Sequence, residues 1–471
     1  MTRKHLAALW AAFTLVGCGV SGAPGGGYGA TPGGAQDIAL ARTKIDHGQI
    51  PEPEDFVAEG LYSEHDLPLD GPACEQVLCL RTATGIAPAL DTGRQEVFVQ
   101  VGFSSNVDPA TFHRKPLDVA LVIDHSGSMS GEPMEAVKAA ARTLVDKLDG
   151  NDTFSLVIFD HTTETLVTQG QVKDRAALKR AIDTIHEAGS TCIECGLRDG
   201  FKQLAKVQAD ASRARRLFLF TDAMPNVGAT GEGEFMDLLR SHAQQGRDTT
   251  VFGVNIAFGQ ALVTKISSVR GANYFYLSDA ERTRKVFDED FDFLVTPIAY
   301  DLKMALAPAE GYRVEAVYGL PGVEPGASEA VMDVATVFLS RRRGAVLARL
   351  SGPGQTQPNQ QLVSSSFSFS PAEGAAPAAV TLSASYEGGE PLESTATWYS
   401  QRSVRKTVAL TNFILGARMA CTHWMKGERE QALEVANRTE ALLKAEAEAL
   451  DDAPLRAEAE LAGKLAALMK P

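Results

Sequence analysis

The sequence of 471 residues has no basic patch with interleaved aromatic residues, which is the usual footprint of a nucleic-acid-binding protein. It carries 45 basic against 59 acidic residues, a net charge of −14, so phosphate backbones and anionic lipid headgroups are unfavourable partners. The arginine run at 341–343 is typical of a solvated strand end. Beyond the first residues, no uninterrupted apolar run approaches the roughly 20 residues that a membrane-spanning helix needs. These absences exclude nucleic acid as a partner and predict no spanning helix.

The N-terminal residues have the order of a secretory signal. Two basic residues precede an apolar stretch over 6–16, and the string LVGC then ends at Cys18. LVGC resembles the bacterial lipobox, which implies cleavage before Cys18 and lipidation of that residue. The alternative is an ordinary cleaved signal peptide with Cys18 unmodified. Gly19 at the next position implies, by the bacterial sorting rule, the outer membrane of a Gram-negative cell envelope. Removal of residues 1–17 would take two bases and no acid, and would change the net charge from −14 to −16.

Composition and periodicity divide the chain into six parts. The string GVSGAPGGGYGATPGGAQ at 19–36 has too little apolar surface to fold and predicts a flexible spacer. Strand-length alternating runs recur between 301 and 383, and helical periodicity begins near Arg402. The predicted parts are a signal peptide and lipobox (1–18), a flexible Gly-rich linker (19–49), an irregular and β segment (50–115), an α/β domain (116–300), a β-rich domain (301–400) and a helical segment (401–471).

The most informative motif of the chain begins where a buried strand ends. The apolar run 119–123 predicts a strand buried on both faces, and Asp124, Ser126 and Ser128 follow it directly. At the carboxyl end of a parallel strand the chain turns into the crevice where open α/β sheets bind ligands. Glu132 and the Pro after it then predict the first turn of a helix. The three polar side chains therefore belong to a loop on a functional edge of the sheet.

Two later segments repeat this geometry. Thr191 stands in AGSTCIECGL, just before a predicted helix. Asp222 follows the buried-strand run 217–220 and precedes a Pro and Gly turn, as a second carboxylate at a strand end. Five oxygen-bearing side chains, spread over almost a hundred positions, therefore each follow a hydrophobic strand or precede a helix, as the ligands of one metal site would.

Together these segments resemble the metal-ion-dependent adhesion site of the von Willebrand factor type A (VWA) domain, whose pattern is DxSxS, then Thr, then Asp. The resemblance covers about residues 112–300 and extends to a family of bacterial VWA lipoproteins. It implies an α/β fold, with a Rossmann-like, doubly wound domain, a mostly parallel central sheet, a β-rich flanking domain and a C-terminal helical segment. It also implies that Asp124, Ser126, Ser128, Thr191 and Asp222 are metal ligands. His125 and Ala223 depart from the usual pattern without removing a ligand.

The residue types fit a hard divalent cation. Mg²⁺ prefers oxygen ligands at about 2.0–2.1 Å and keeps several waters. A site with neutral hydroxyls and only two carboxylates leaves such an ion electrophilic, and the resemblance implies that an Asp or Glu of a partner protein completes the shell. Mg²⁺ is the expected ion, with Mn²⁺ and Ca²⁺ as alternatives. The alternative for Asp124, Ser126 and Ser128 is a purely local role as turn and capping residues.

Five of the six cysteines remain when Cys18 is set aside, and the two close pairs lack the spacing of a zinc finger. In an oxidising compartment the two close pairs can each form a local disulfide, which leaves Cys421 free. For the CIEC pair the alternatives are a redox CxxC motif at a helix start, or two ordinary small residues. We hypothesise that a bridge there stiffens the loop that carries Thr191. The predicted disulfide residues are Cys74, Cys79, Cys192 and Cys195.

Three functions remain open at this stage. The first is a non-enzymatic envelope lipoprotein that binds a protein partner through its metal. The second is a structural envelope module in which the metal only stabilises the fold. The third is a metal-dependent hydrolase with His125 as acid or base, although no orienting partner for His125 is evident in the sequence and SGSM lacks the context of a nucleophile elbow.

Overall fold

The structure, a computed structural model, describes residues 27–33, 38–222, 232–254, 265–277, 280–320, 330–352, 355–372, 374, 376–392 and 396–470. The predicted signal, lipobox and Cys18 lie outside these ranges. The strands are β1 Gly29–Pro32, β2 Cys79–Pro88, β3 Gln95–Ser104, β4 Leu117–Asp124, β5 Thr153–Phe159, β6 Thr163–Gln171, β7 Ala214–Thr221, β8 Asp248–Val254, β9 Asn273–Leu277, β10 Pro297–Pro308, β11 Arg313–Tyr318, β12 Ala330–Ser340, β13 Ala345–Ser351, β14 Gln361–Pro371, β15 Ala378–Ser385 and β16 Trp398–Tyr399. The helices are α1 Ala39–Asp46, α2 Ala58–Ser63, α3 Glu132–Lys147, α4 Arg175–Asp183, α5 Ile193–Leu204, α6 Glu232–Ala243, α7 Ala280–Leu294, α8 Arg402–Met425, α9 Arg429–Ala449 and α10 Ala453–Leu468.

The middle of the chain forms a six-stranded sheet in the order β6-β5-β4-β7-β8-β9. All neighbouring pairs are parallel except β5 with β6, which is antiparallel. Strand β4 lies at the centre and is buried along its whole length, as its apolar run predicts. The chain leaves β4 on one side to build β5 and β6, and returns on the other side to build β7, β8 and β9. This doubly wound sheet confirms the predicted fold class.

Helices cover both faces of this sheet. On one face α3 packs with α4 and α7 in an apolar cluster that contains Val137, Leu144 and Phe287. On the other face α5 and α6 pack through Leu197, Phe201 and Leu239, among others. Aliphatic and aromatic side chains therefore close both faces of the sheet. The sheet is therefore a rigid platform for the loops at its ends.

A second, ten-stranded sheet is built from strands that precede and follow the α/β domain in the sequence. Its main path runs β11-β13-β3-β1-β12-β10-β14-β15, and β2 and β16 join it through β3. The short strand β1 pairs with β12 over four residues and contacts β3 at Gly29. Helix α1 is also packed, with Ala39, Ala41 and Ile45 buried. The prediction of a flexible linker over 19–49 is therefore wrong for β1 and α1, because a sheet formed by distant residues supplies the partners that this Gly-rich segment lacks locally.

The C-terminal residues form three helices, α8 to α10. They pack with α1 and α2 in an apolar cluster that includes Phe56, Phe413 and Leu465. Leu443 and Val435 of α9 are buried in this cluster. Among the described helices, none has the length and apolar character to cross a membrane.

Candidate metal site

The polar residues of the predicted site lie at the carboxyl ends of adjacent parallel strands. Asp124 at the end of β4 is in register with Phe159 of β5, and Ile123 is in register with Phe220 of β7. The residues that follow these positions therefore emerge at the same edge of the sheet. This edge is where the chain reverses its winding direction, the usual ligand position of open α/β sheets.

The loop after β4 is short and tightly held. Gly127–Met129 forms a single 3₁₀ turn, and Met129 is fully buried beneath it. Gly131 has a φ of 83°, a conformation that favours glycine, and α3 begins at the next residue. A buried methionine and a left-handed glycine thus fix a loop that presents hydroxyl groups.

Hydrogen bonds join four of the five predicted ligands into one connected set. Asp124 accepts a bond at Oδ1 from the Ser126 backbone N–H at 2.9 Å, and at Oδ2 from the Thr221 hydroxyl at 2.6 Å. The hydroxyls of Ser126 and Ser128 lie 3.2 Å apart, and Ser128 Oγ donates to Asp222 Oδ1 at 2.9 Å. Asp124 and Ser126 are buried, Ser128 is exposed and Asp222 is half-buried. The set therefore runs from the sheet edge outward to solvent.

Thr191 lies in the loop between α4 and α5, and this loop is bonded to the DxSxS loop through its backbone. Ala188 N–H donates to His125 O at 2.8 Å, and Gly127 N–H donates to Gly189 O at 3.2 Å. No hydrogen bond links the Thr191 side chain to the other four side chains in the described part of the chain. The structure thus brings the segment of Thr191 to the site, and leaves its hydroxyl unbonded to the other predicted ligands.

Burial raises the pKa of both carboxyl groups of the site. For Asp124, the bonds from Thr221 and Ser126 offset part of this effect, and the charge of Asp222 adds to it. For Asp222, the bond from Ser128 opposes burial, and the pKa remains above its usual value. Two carboxylates held near each other in a partly dry site favour a bound cation, which would compensate their charge.

The donor set consists of oxygen atoms, which suit a hard divalent cation. Among the described residues there is no group of three or more His, Cys, Asp or Glu side chains with metal-binding geometry. The oxygens that converge here are two carboxylates and serine hydroxyls, which Mg²⁺, Mn²⁺ or Ca²⁺ accept. The residues present therefore fit a divalent cation with oxygen ligands.

Both predicted disulfides are formed, and one of them adjoins the site. Cys74 pairs with Cys79, and Cys192 pairs with Cys195. Cys192 is the N-cap residue of α5, and its backbone N–H donates to the Asp160 carbonyl oxygen at 2.6 Å. This bridge joins the residue after Thr191 to the first turn of α5. The remaining described cysteine, Cys421, is free and buried, and burial raises the pKa of its thiol to about 12.

Two residues near the site, Thr221 and Asp160, were not singled out from the sequence. Thr221 bonds Asp124, as described above. Asp160 is buried after β5, its Oδ1 accepts from the Thr162 N–H at 2.7 Å, and its Oδ2 lies 2.9 Å from His161 Nδ1. Burial would raise the pKa of Asp160, but the two bonds from Thr162 and the nearby histidines hold it below its usual range. The signal was available: a carboxylate directly after the buried strand of DTFSLVIFD repeats the position of Asp124.

His125 is held by the main chain of the neighbouring loop. Its Nδ1 lies 2.8 Å from the backbone carbonyl oxygen of His186, so a main-chain group orients the ring. Within the described residues, no carboxylate bonds to His125.

Comparison with known proteins agrees with this fold. A model of the von Willebrand factor type A domain matches residues 118–289. The chain is similar to the uncharacterized protein sll0103 of Synechocystis, with 42% identity over 109 residues, 23% of this chain and 26% of that protein. It is similar to the uncharacterized protein YfbK of Escherichia coli, with 25% identity over 188 residues, 40% of this chain and 32% of that protein. The matched segments thus span a third or less of these relatives. A solved structure described as von Willebrand factor type A from Catenulispora acidiphila has 14% identity and a TM-score of 0.48, and the match covers 79% of this chain and 88% of that chain.

Proposed function

Because residues 118–289 are a von Willebrand factor type A domain, we propose that this protein is a cell-envelope lipoprotein that binds a protein partner through a divalent cation. Asp124, Ser126, Ser128, Thr191 and Asp222 would hold the ion, with Mg²⁺ as the expected metal. A carboxylate of the partner would complete the metal shell. Lipidation of Cys18 would tether the protein to the outer membrane.

The observation that carries this proposal is a connected set of hydrogen bonds. Asp124 bonds Ser126 and Thr221, Ser126 bonds Ser128, and Ser128 bonds Asp222. The two carboxylates have a total charge of −2, which balances the formal charge of a divalent cation, and the neutral hydroxyls add no further negative charge. A cation with such ligands keeps water-filled positions that an incoming carboxylate can take. The exposure of Ser128 supports access from solvent.

The second candidate is a module in which the metal only stabilises the fold. Its support is that Asp124 is fully buried, and that burial raises its pKa when no cation is present. A bound cation would remove that cost, so the domain would gain stability from metal even without a partner. The two functions differ in whether metal-bound protein recognises an external carboxylate.

Metal binding is tested by calorimetric titration of Mg²⁺ and Mn²⁺ into metal-free protein that starts at residue 19. Ser128→Ala removes an exposed hydroxyl that bonds Asp222, and Asp222→Asn removes one charge. Ser130→Ala, an exposed serine two positions further along the same loop, is the matched control. Saturable binding that survives Ser130→Ala and is lost in the other two variants supports the site. Equal binding in all four proteins would refute it.

Partner recognition is tested by panning a displayed peptide library on the protein in Mg²⁺. Selected peptides should release in EDTA and lose binding when their Asp or Glu is changed to Asn or Gln. Peptides that bind equally in EDTA, or a metal that raises the melting temperature without any carboxylate-dependent ligand, would favour the structural alternative.

The tether is tested separately in bacterial cells that express the full chain. We expect the protein in the membrane fraction, and Cys18→Ser in the soluble envelope fraction. Membrane association that persists in Cys18→Ser would exclude the lipid anchor.

A further inference from the structure

Strand β15 lies at an edge of the ten-stranded sheet. It pairs with β14 from Ala378 to Ser385, and within the described part of the chain no second strand forms a ladder with it, although β2 approaches its Ser385 end and leaves the edge from Ala378 to Ser383 open. Apart from the ladder with β14, one described hydrogen bond reaches its backbone, from the Thr84 hydroxyl to Ser385 O at 3.2 Å. An edge strand of eight residues with unpaired main-chain groups is a template for another strand.

The edge lacks the features that usually prevent strand addition. Edge strands are commonly protected by charged side chains, proline or bulges. The segment 351–386 contains a single charged residue, Glu373, although 22% of the chain is charged. Strand β15 itself, AAVTLSAS, has no charged residue, proline or glycine. The single register irregularity in its ladder with β14 lies at the far end, between Gln361 and Val363.

An apolar row of the sheet ends uncovered at this edge. The cross-strand row Met304, Phe367 and Val380 runs from β10 through β14 to β15. Met304 and Phe367 are 0% and 2% exposed, whereas Val380 is 36% exposed. Among the described large hydrophobic residues, Val380 is one of three that are exposed, with Val331 and Met425. A strand added to β15 would extend this row and cover Val380.

The chemistry of the edge favours a second copy of the chain as the occupant. A chain with a net charge of −14 repels its copies over most of its surface. The uncharged edge is a place where this repulsion is least, and the same sequence on both sides avoids any mismatch of polarity. Antiparallel pairing of identical strands also gives a closed two-fold interface, the commonest symmetry of soluble oligomers.

We propose that β15 pairs antiparallel with β15 of a second copy about a two-fold axis, so that two ten-stranded sheets form one continuous sheet. The pairing uses backbone N–H and C=O groups of the edge and buries the two Val380 side chains. It does not depend on the metal site. A dimer of this kind carries two metal sites, one from each α/β domain.

The test is sedimentation velocity on the chain from residue 19 onward, which retains every residue that the structure describes. Thr381→Lys and Val380→Lys place a cation on the edge. Val331→Lys is the matched control, because Val331 is 65% exposed on β12, an interior strand of the same sheet. Circular dichroism and melting temperature establish that each variant folds. We expect a dimer for the unmodified chain and for Val331→Lys, and a dissociation constant at least roughly tenfold higher for both edge variants.

Orientation is tested with Thr381→Cys and a short bis-maleimide, since Thr381 lies at the middle of β15. Antiparallel pairing centred there brings the two introduced thiols together, and a covalent dimer is expected. Val331→Cys should give none, and Cys421 is buried and should not react. A chain that remains monomeric at its highest soluble concentration would overturn the proposal, as would a dimer that the edge lysines leave unchanged. Both outcomes are independent of metal binding, so they do not bear on the proposed function.

Discussion

His242 lies flat against Phe201, with ring centroids 3.8 Å apart, and its Nδ1 lies 2.8 Å from Arg247 Nη1. Because a guanidinium has only donors, this nitrogen of His242 must accept, and the ring is neutral. Burial, with the charges of Arg247 and Arg198, lowers the pKa of His242 from 6.5 to about 4. His242 is therefore harder to protonate in the folded protein than in the unfolded chain.

This shift predicts an acid-dependent loss of stability. Between pH 6.5 and about 4 the unfolded chain binds more protons at His242 than the folded chain does. The stability is therefore full above pH 6.5 and falls as the pH decreases, by up to about 1.4 kcal/mol per pH unit. Urea unfolding at pH 7.5 and pH 5.0 should show a smaller pH difference for His242→Gln than for the unmodified protein. An equal difference in both would contradict the assignment.

The sequence predicts those residues of the site that directly follow a strongly apolar strand. Asp124 and Asp222 stand after fully apolar runs, and parallel strands bring such positions to one edge. Thr191 is harder to place, because a loop between helices positions it and periodicity says nothing about loop conformation. Thr221 lies between the apolar run 217–220 and Asp222, and its role becomes visible only when the register of β4 and β7 is known.

Helix α5 packs closely against the central sheet at Gly196. A Cβ on Gly196 would lie 2.4 Å from Phe159 Cδ1, and Phe159 is fully buried. We expect Gly196→Ala to destabilise the protein by about 1 to 3 kcal/mol, because a packed core cannot absorb the extra methyl group. Gly233→Ala in α6 is the control, since nothing lies within 4 Å of its Cβ position. This control should stabilise by about 0.5 to 1 kcal/mol, and a loss of similar size in both variants would contradict the packing argument.

The disulfide at the start of α5 makes a different prediction, about the metal. The bridge Cys192–Cys195 holds the segment of Thr191 to α5. Without the bridge the loop should be less ordered, and an ion would have to order it on binding. Cys192→Ser with Cys195→Ser should weaken Mg²⁺ affinity roughly threefold to tenfold, by the loss of preorganisation. Cys74→Ser with Cys79→Ser removes a disulfide elsewhere and should leave the affinity unchanged. Calorimetry measures both, and unchanged affinity in the first variant would exclude a role for the bridge.

Element prediction succeeded where the pattern is local and failed where it is not. The buried strands β4 and β7 and the helix α3 have strong periodic or apolar signals, so their existence follows from sequence. Strand β1 has no such signal, since its sequence GATP has the composition of a spacer. It forms a strand because it pairs with β12. Tertiary partners override composition in such a segment.

At the scale of the whole molecule, the N-terminal helices and the last helix are joined by a buried ionic cluster. Arg42 of α1 pairs with Glu64 and, at 2.7 Å, with Glu458 of α10. His65 Nε2 lies 3.2 Å from the same Glu458 carboxylate. Burial would raise the pKa of Glu458, but the hydrogen bond with His65 and the charge of Arg42 outweigh burial and hold it below its usual value. The cluster therefore links residues more than 400 positions apart through one carboxylate.

Removal of Arg42 should loosen this link between the two ends of the described chain. The Glu458 side chain is only 4% exposed, so Arg42→Met leaves a buried carboxylate with His65 as its remaining partner. We expect a loss of about 2 to 3 kcal/mol in the free energy of unfolding at pH 7. Arg142→Met, which breaks an exposed pair with Asp183, should cost less than about 1 kcal/mol.

The pH dependence separates an electrostatic effect from a packing effect of the same substitution. Because the folded pKa of Glu458 is lowered, its stabilising contribution is present above the ordinary glutamate pKa and disappears as the pH falls through the folded value. The difference between the unmodified protein and Arg42→Met should therefore shrink as Glu458 becomes protonated. Chemical unfolding at pH 7 and pH 4 measures this change. A difference that stays constant would mean that Arg42 acts through the packing of its aliphatic stem, and that charge does not hold α1 against α10.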